Sequence, residues 1–271
     1  MNPSELAADL QEWRETSPAV EVQETEYCRL LGYPRGRVLQ GRARELADEA
    51  RAWYAQHGRP WIFGRRIDSA TGSNREVKLG GTTFSSKPLL EIIEAGQAQE
   101  AMTVAVCAGK ECEEEAAKRW QEGKPDEYFF LEIFGSAVVE HLIVAAGGRI
   151  CAWAETHGMT VLPHYSPGYS GWDISEQGKL WSLINAKGAA MPGGLEVLST
   201  GMLRPKKSLL AVFALTRQLE KARKLARLVP CEGCSLAGCN YRRAPYRRAL
   251  PQVENTRWIS KDSLQGGPLP P

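Results

Sequence analysis

His164-Tyr165-Ser166-Pro167-Gly168-Tyr169-Ser170-Gly171-Trp172-Asp173, followed after a helical stretch by Leu198-Ser199-Thr200-Gly201-Met202-Leu203-Arg204-Pro205-Lys206-Lys207-Ser208, form the most informative pair of segments in this chain. Pro167 fixes one backbone dihedral and Gly168 accepts almost any, so a tight turn is expected that aims consecutive N–H groups at a small anion, beside the phenol of Tyr169. The second segment brings a thioether, Met202, and a basic cluster to the same neighbourhood. Taken alone, Pro-Gly-Tyr is equally an ordinary surface turn. The aromatic surroundings, the helix that follows and the second segment favour a ligand loop. Asp173 has the position of a helix cap with Glu176 completing a capping box, and Leu180, Trp181 and Ile184 then share one face until Lys187-Gly188.

Outward from these segments, apolar periodicity predicts helices over 3–31 and 38–57, broken at Gly32-Tyr33-Pro34. Strands are expected at 60–68 and 74–85 around a polar turn, then a helix over 86–97. Ala101 to Gly109 reads as a buried strand and Glu111 to Glu122 as the next helix. In 126–157, Ile133, Val138, Leu142, Ile143 and Ala146 form a broad apolar face. Ser208 to Leu215 is a strand candidate, and Thr216 caps a basic amphipathic helix on Leu219, Ala222, Ala226 and Val229.

The 271 residues are 43% apolar, enough for one substantial core with an appendage. The net charge is only +2, yet residues 91–140 carry −8 and residues 201–250 carry +10. Such polarity suits oriented docking on a charged partner, and equally a solvated bipolar surface. No run of about eighteen uncharged apolar residues occurs. The start, with Glu5, Asp9, Glu12 and Glu15, lacks the basic and apolar pattern of a secretory signal, so a cytoplasmic protein with no membrane role is expected. Seven cysteines, an odd number, fit reduced thiols or metal ligands better than a disulfide framework.

The two segments resemble the activation module of cobalamin-dependent methionine synthase, in a free-standing form. That family carries an Arg-x-x-x-Gly-Tyr type signature in its ligand loop. Here Gly168 and Tyr169 are in place, but His164 stands where the arginine falls. Histidine offers one weaker contact where arginine offers two parallel donors, so weaker binding, or another cation, is implied. The likeness continues through Phe134-Gly135-Ser136-Ala137-Val138-Val139-Glu140, where the family places an acidic residue facing the ligand, and through Leu30-Leu31-Gly32-Tyr33-Pro34.

The resemblance implies binding of S-adenosylmethionine by Glu140, His164, Ser166, Pro167, Gly168, Tyr169, Ser170, Gly201 and Met202, with Tyr169 as the residue nearest the chemistry. It also implies reductive activation of a corrinoid protein, by methyl transfer to cob(I)alamin or by electron delivery to cob(II)alamin. No Asp-x-His-x-x-Gly cobalamin signature is present, so the cobalamin is expected on a partner, either a corrinoid protein or a methionine synthase lacking its own activation module. The absence of Gly-x-Gly-x-x-Gly after a strand argues against a Rossmann methyltransferase. The expected architecture is α+β: a single curved, mostly antiparallel twisted sheet with flanking helices over 1–228, and a C-terminal cysteine-containing extension. A non-catalytic, metal-stabilised docking protein with a degenerate ligand site is the alternative.

That extension, 229–250, carries Cys231, Cys234 and Cys239 with glycines between, three thiolates spaced to share one metal or cluster. An iron–sulfur cluster suits one-electron chemistry; structural zinc and free thiols stay open. A fourth ligand would come from Cys28, Cys107, Cys112 or Cys151, of which Cys107 and Cys112 also read as small buried hydrophobes. The arginines after the array suit an acidic electron donor such as flavodoxin or ferredoxin, and with only Tyr241 and Tyr246 as stacking platforms they make a weak case for nucleic acid. Residues 251–271 read as a flexible tail.

Overall fold

The computed structural model describes residues 11–34, 36–73, 76–186 and 191–225. Its strands are β1 (Glu12–Glu15), β2 (Trp61–Ile67), β3 (Ala70–Ser73), β4 (Glu76–Leu79), β5 (Thr82–Phe84), β6 (Glu100–Cys107), β7 (Thr160–Val161), β8 (Glu196–Val197), β9 (Leu203–Arg204) and β10 (Ser208–Thr216). Its helices are α1 (Glu24–Leu30), α2 (Gly41–His57), α3 (Lys87–Gly96), α4 (Lys110–Gln121), α5 (Pro125–Thr156), α6 (Gln177–Ile184) and α7 (Leu219–Leu225). The architecture is the expected α+β one, a curled antiparallel half-barrel of five strands with helices around it.

The large sheet runs β1-β2-β6-β10-β7, every pairing antiparallel. Its central strands are apolar on both faces, as strands covered on both sides must be. Along β6, Met102, Val104 and Val106 point to one core, and Ala101, Ala105 and Cys107 to the other. The same two-residue period divides β10, with Ala211, Phe213 and Leu215 on one side and Leu210, Val212 and Ala214 on the other. One face is covered by α1, α2, α4 and α5, the other by α3, α6 and the antiparallel meander β3-β4-β5.

Helix α5 organises the first face, and the apolar positions expected to be inward are all buried. By length and composition it could cross a bilayer, but 61% of its most apolar window is buried inside the protein, as in a core helix. Near its start, the Tyr27 hydroxyl donates to the Phe130 carbonyl at 2.7 Å, and Tyr27 meets Phe134 edge-on.

The amino-terminal expectation fails. Residues 12–15 form an edge strand, and helix appears only at 24–30. Trp13 decides this: its ring lies over Gly64 of β2, where a Cβ would stand 1.5 Å from the indole. Glu12 and Glu15 are held by Arg65 and Arg149, so the alternation of Glu12, Trp13 and Arg14 is that of a strand. Residues 3–10 lie outside the described residues. A second difference is β3, a strand of Thr, Gly and Ser where a turn was expected; pairing with β4 overrides its weak propensity.

Candidate functional site

The first loop is built where the chain leaves β7 and runs beside β10. Tyr165 and Val212 exchange both backbone hydrogen bonds, at 3.0 and 2.9 Å. Extended backbone sends neighbouring side chains to opposite faces. The His164 ring accordingly sits 5.3 Å from Phe213, on the α5 side. Tyr165 enters the other core, stacked parallel to Trp172 at 6.5 Å. Tyr169 returns to both, edge-on to Tyr165 and with its hydroxyl 3.5 Å from His164 Nε2.

The turn itself differs from the expected cradle. The Gly168 N–H donates to the Trp172 carbonyl at 2.9 Å, and the Tyr169 N–H to the Ser166 carbonyl at 3.1 Å. Two of the amides that were to grip an anion thus hold the loop together. Those of Ser170 and Gly171, on its exposed crest, have no partner among the described residues. Gly168 and Gly171 take φ of +88° and +78°, which is why glycine stands there. Pro167 is buried. Ser166 is fully buried, and its hydroxyl has no hydrogen-bond partner among the described residues. Such a group calls for a water or a ligand atom.

A buried carboxylate clamps this loop. Asp173 caps a short 3-10 turn, accepting from the Ser175 N–H at 2.8 Å. Glu176 does not complete the expected box. One of its oxygens accepts from both the Trp172 indole, at 2.8 Å, and the Ser85 amide, at 2.9 Å; the other pairs with Lys179 at 2.7 Å. Burial works to raise the Glu176 pKa, but the Lys179 ammonium, the Ser85 amide and the Trp172 indole hold it below the usual glutamate range.

The second loop, 198–202, closes the β8–β9 hairpin, with the Leu198 N–H on the Met202 carbonyl and the Gly201 N–H on the Leu198 carbonyl, both 2.8 Å. Gly201 has φ of +82°, and a Cβ there would lie 2.7 Å from the Ile174 carbonyl, so the two loops touch as expected. Met202 and Ile174 leave apolar side chains exposed at this junction.

Helix α5 joins the same end of the molecule. Lys207 and Lys206 reach Glu132 at 3.1 and 3.0 Å, and Lys207 also donates to Ser136 at 3.0 Å. Gly135 makes room, since a Cβ there would come within 3.2 Å of Lys207 and 2.8 Å of the Cys112 sulfur. Glu140 is one turn beyond Ser136, on the same stripe of α5. Further along, Gly147 lies against Phe213. Sequence reasoning passed over Phe213, Ile174 and the Glu176 clamp. Phe213 was hidden inside a strand-like run, and Glu176 was legible only as half of a local cap.

Cys231, Cys234 and Cys239, and the segments 229–250 and 251–271, lie outside the described residues. Among the described residues no three His, Cys, Asp or Glu side chains gather as a metal site. Cys107 and Cys112 are wholly buried, and burial pushes the Cys112 thiol up to about 12, as suits core side chains.

A curled antiparallel sheet with a long helix on one face and two touching loops at one end defines a single α+β module. No family model and no curated protein matches the sequence. Among solved structures the chain is similar to the MetH reactivation domain bound to AdoHcy, with a TM-score of 0.55 and 10% identity, covering 75% of this chain and 78% of that one. At that identity the likeness shows the fold.

Proposed function

We propose that the chain reactivates a corrinoid protein, binding S-adenosylmethionine at the paired loops and presenting it to a cobalamin carried by a partner. The observation that carries this reading is convergence. His164, Tyr169 and Phe213 meet beside α5, Gly201 presses on Ile174, and Lys207 ties the second loop to α5 one turn from Glu140. The similar solved domain holds AdoHcy, the demethylated form of this ligand.

The chemistry asks little acid or base of the protein. Reduced by one electron from a donor protein, the partner's cobalamin would supply the nucleophile for the sulfonium methyl, and AdoHcy would be left holding the electron pair of the broken C–S bond. This chain's residues hold and orient. Glu140 offsets the positive charge of the ligand, His164 and the exposed Ser170 and Gly171 amides face its carboxylate, and the buried Ser166 lies beneath the loop that carries them. Tyr169 stands at the mouth, and Met202 with Ile174 offers the apolar surface for a flat macrocycle.

Isothermal titration with S-adenosylmethionine and AdoHcy tests this directly: saturable heat in the parent and its loss in Tyr169→Ala are expected. The engagement of the Gly168 and Tyr169 amides inside the loop favours one second reading, a docking protein with a degenerate site. Absence of heat at millimolar ligand would establish that reading in place of the first.

A further inference from the structure

Away from the loops, a cleft of about 600 Å³ lies where the chain crosses from β1 to α1 over the carboxyl end of α2. That volume is in the range of small-molecule sites, roughly 300 to 1,000 Å³. We propose that it is a separate ligand site, shaped for a small organic anion with an apolar body about the size of one or two rings.

The floor is prebuilt and apolar. Tyr54 and Phe134 line it, their rings edge to face at 5.5 Å, and both are buried in the main core. The Tyr54 hydroxyl is committed to the Ala108 carbonyl at 2.7 Å, so it offers the cleft a ring without a free donor. Val20 and Val22 form the opposite wall. That wall is an irregular crossing, tied down where the His141 ring meets the Glu21 amide at 3.4 Å and the Ala19 carbonyl at 3.1 Å.

The charge of the ligand follows from Arg51 and Arg59, the two cationic residues among those that line the cleft. Arg51 lies over the Tyr27 ring at 5.4 Å and is paired only at 3.5 Å with Glu24 and Asp48, distances that leave its donors short of good geometry. Arg59 bonds only backbone carbonyls, at 2.9 Å to Gly58 and 3.4 Å to Gln56, and has no carboxylate partner among the described residues. Arg59 also lines a neighbouring cleft together with Glu111, Glu114 and Glu115, and forms no ion pair with any of the three. Glu21 is the one carboxylate lining the site, on its exposed rim, against two cations. An apolar floor with two under-used guanidiniums selects a carboxylate, sulfonate or phosphate on an apolar body, and disfavours the same body uncharged.

Fluorescence titration of the full chain with 1-anilinonaphthalene-8-sulfonate, and with the uncharged N-phenyl-1-naphthylamine, which lacks only the sulfonate, tests this. One saturable sulfonate site is expected, undisturbed by saturating AdoHcy, with the uncharged probe bound at least tenfold more weakly. Ala55→Trp, from an exposed position of α2 on the cleft wall, should abolish binding with the far-UV spectrum unchanged. Arg59→Ala, on the surface, should weaken the sulfonate about tenfold and leave the uncharged probe alone, which keeps the test decisive should the tryptophan disturb α2. Equal affinity for the two probes, parental binding by a folded Ala55→Trp, or displacement by AdoHcy would overturn the proposal. None of these results depends on whether the loops bind S-adenosylmethionine.

Discussion

At the scale of single residues, His164 is the position where this chain most openly departs from the signature it resembles. In the proposed site it takes the place of an arginine fork, packed beside Phe213 and within 3.5 Å of the Tyr169 hydroxyl. His164→Arg is expected to tighten S-adenosylmethionine by about tenfold, since two charge-assisted bonds replace one contact, and titration calorimetry reads the change. Gly201 is the opposite case, a residue with no side chain whose absence of bulk is required. Gly201→Ala forces a Cβ to within 2.7 Å of the Ile174 carbonyl at a φ of +82°. The two loops must separate, with a loss of about 1–3 kcal/mol in urea unfolding and a larger proportional loss of ligand affinity.

At the scale of elements, the Glu176 clamp fastens the loop ahead of α6 to the amino end of α3. Glu176→Ala removes the acceptor shared by the Trp172 indole and the Ser85 amide and should cost about 2 kcal/mol. Glu176→Gln can keep that oxygen in place while losing the Lys179 pair, so it should fall between parent and alanine variant. Because the folded-state pKa of Glu176 is lowered, its contribution is fully present above the ordinary glutamate value of 4.5 and is lost as pH falls below it. Urea midpoints measured from pH 7 down to 3 should show the parent losing this increment and Glu176→Ala lacking it throughout. The clamp also shows the limit of reading a chain locally. Helices α2 to α5 and strands β6 and β10 were legible, because their apolar spacing is set by burial they undergo in any packing. The helix expected at the amino terminus was not, because Trp13 is placed by a glycine fifty-one residues away, a contact that no local period records. The meeting of the two loops was anticipated from family likeness, whereas the use of the Gly168 amide inside the turn depends on a fold-back to Trp172 that composition does not announce.

At the scale of the whole molecule, two cores share one sheet, and β6 and β10 supply residues to both. Damage to either face therefore loosens the other, and urea unfolding should be a single transition, with tryptophan fluorescence and far-UV circular dichroism coincident. Two separate transitions would show that the meander layer melts independently. Trp13→Ala should lower the midpoint of that one transition, with a cost of about 3 kcal/mol from the hollow left above Gly64. The sheet also ends abruptly on both sides, in a four-residue strand whose carboxylates are tied to arginines and in a strand of two residues. Margins this short give a visiting polypeptide almost no ladder of this sheet to extend. Along the described margins of the large sheet, a partner therefore meets loops and helices, a shaped surface, before it meets a ladder.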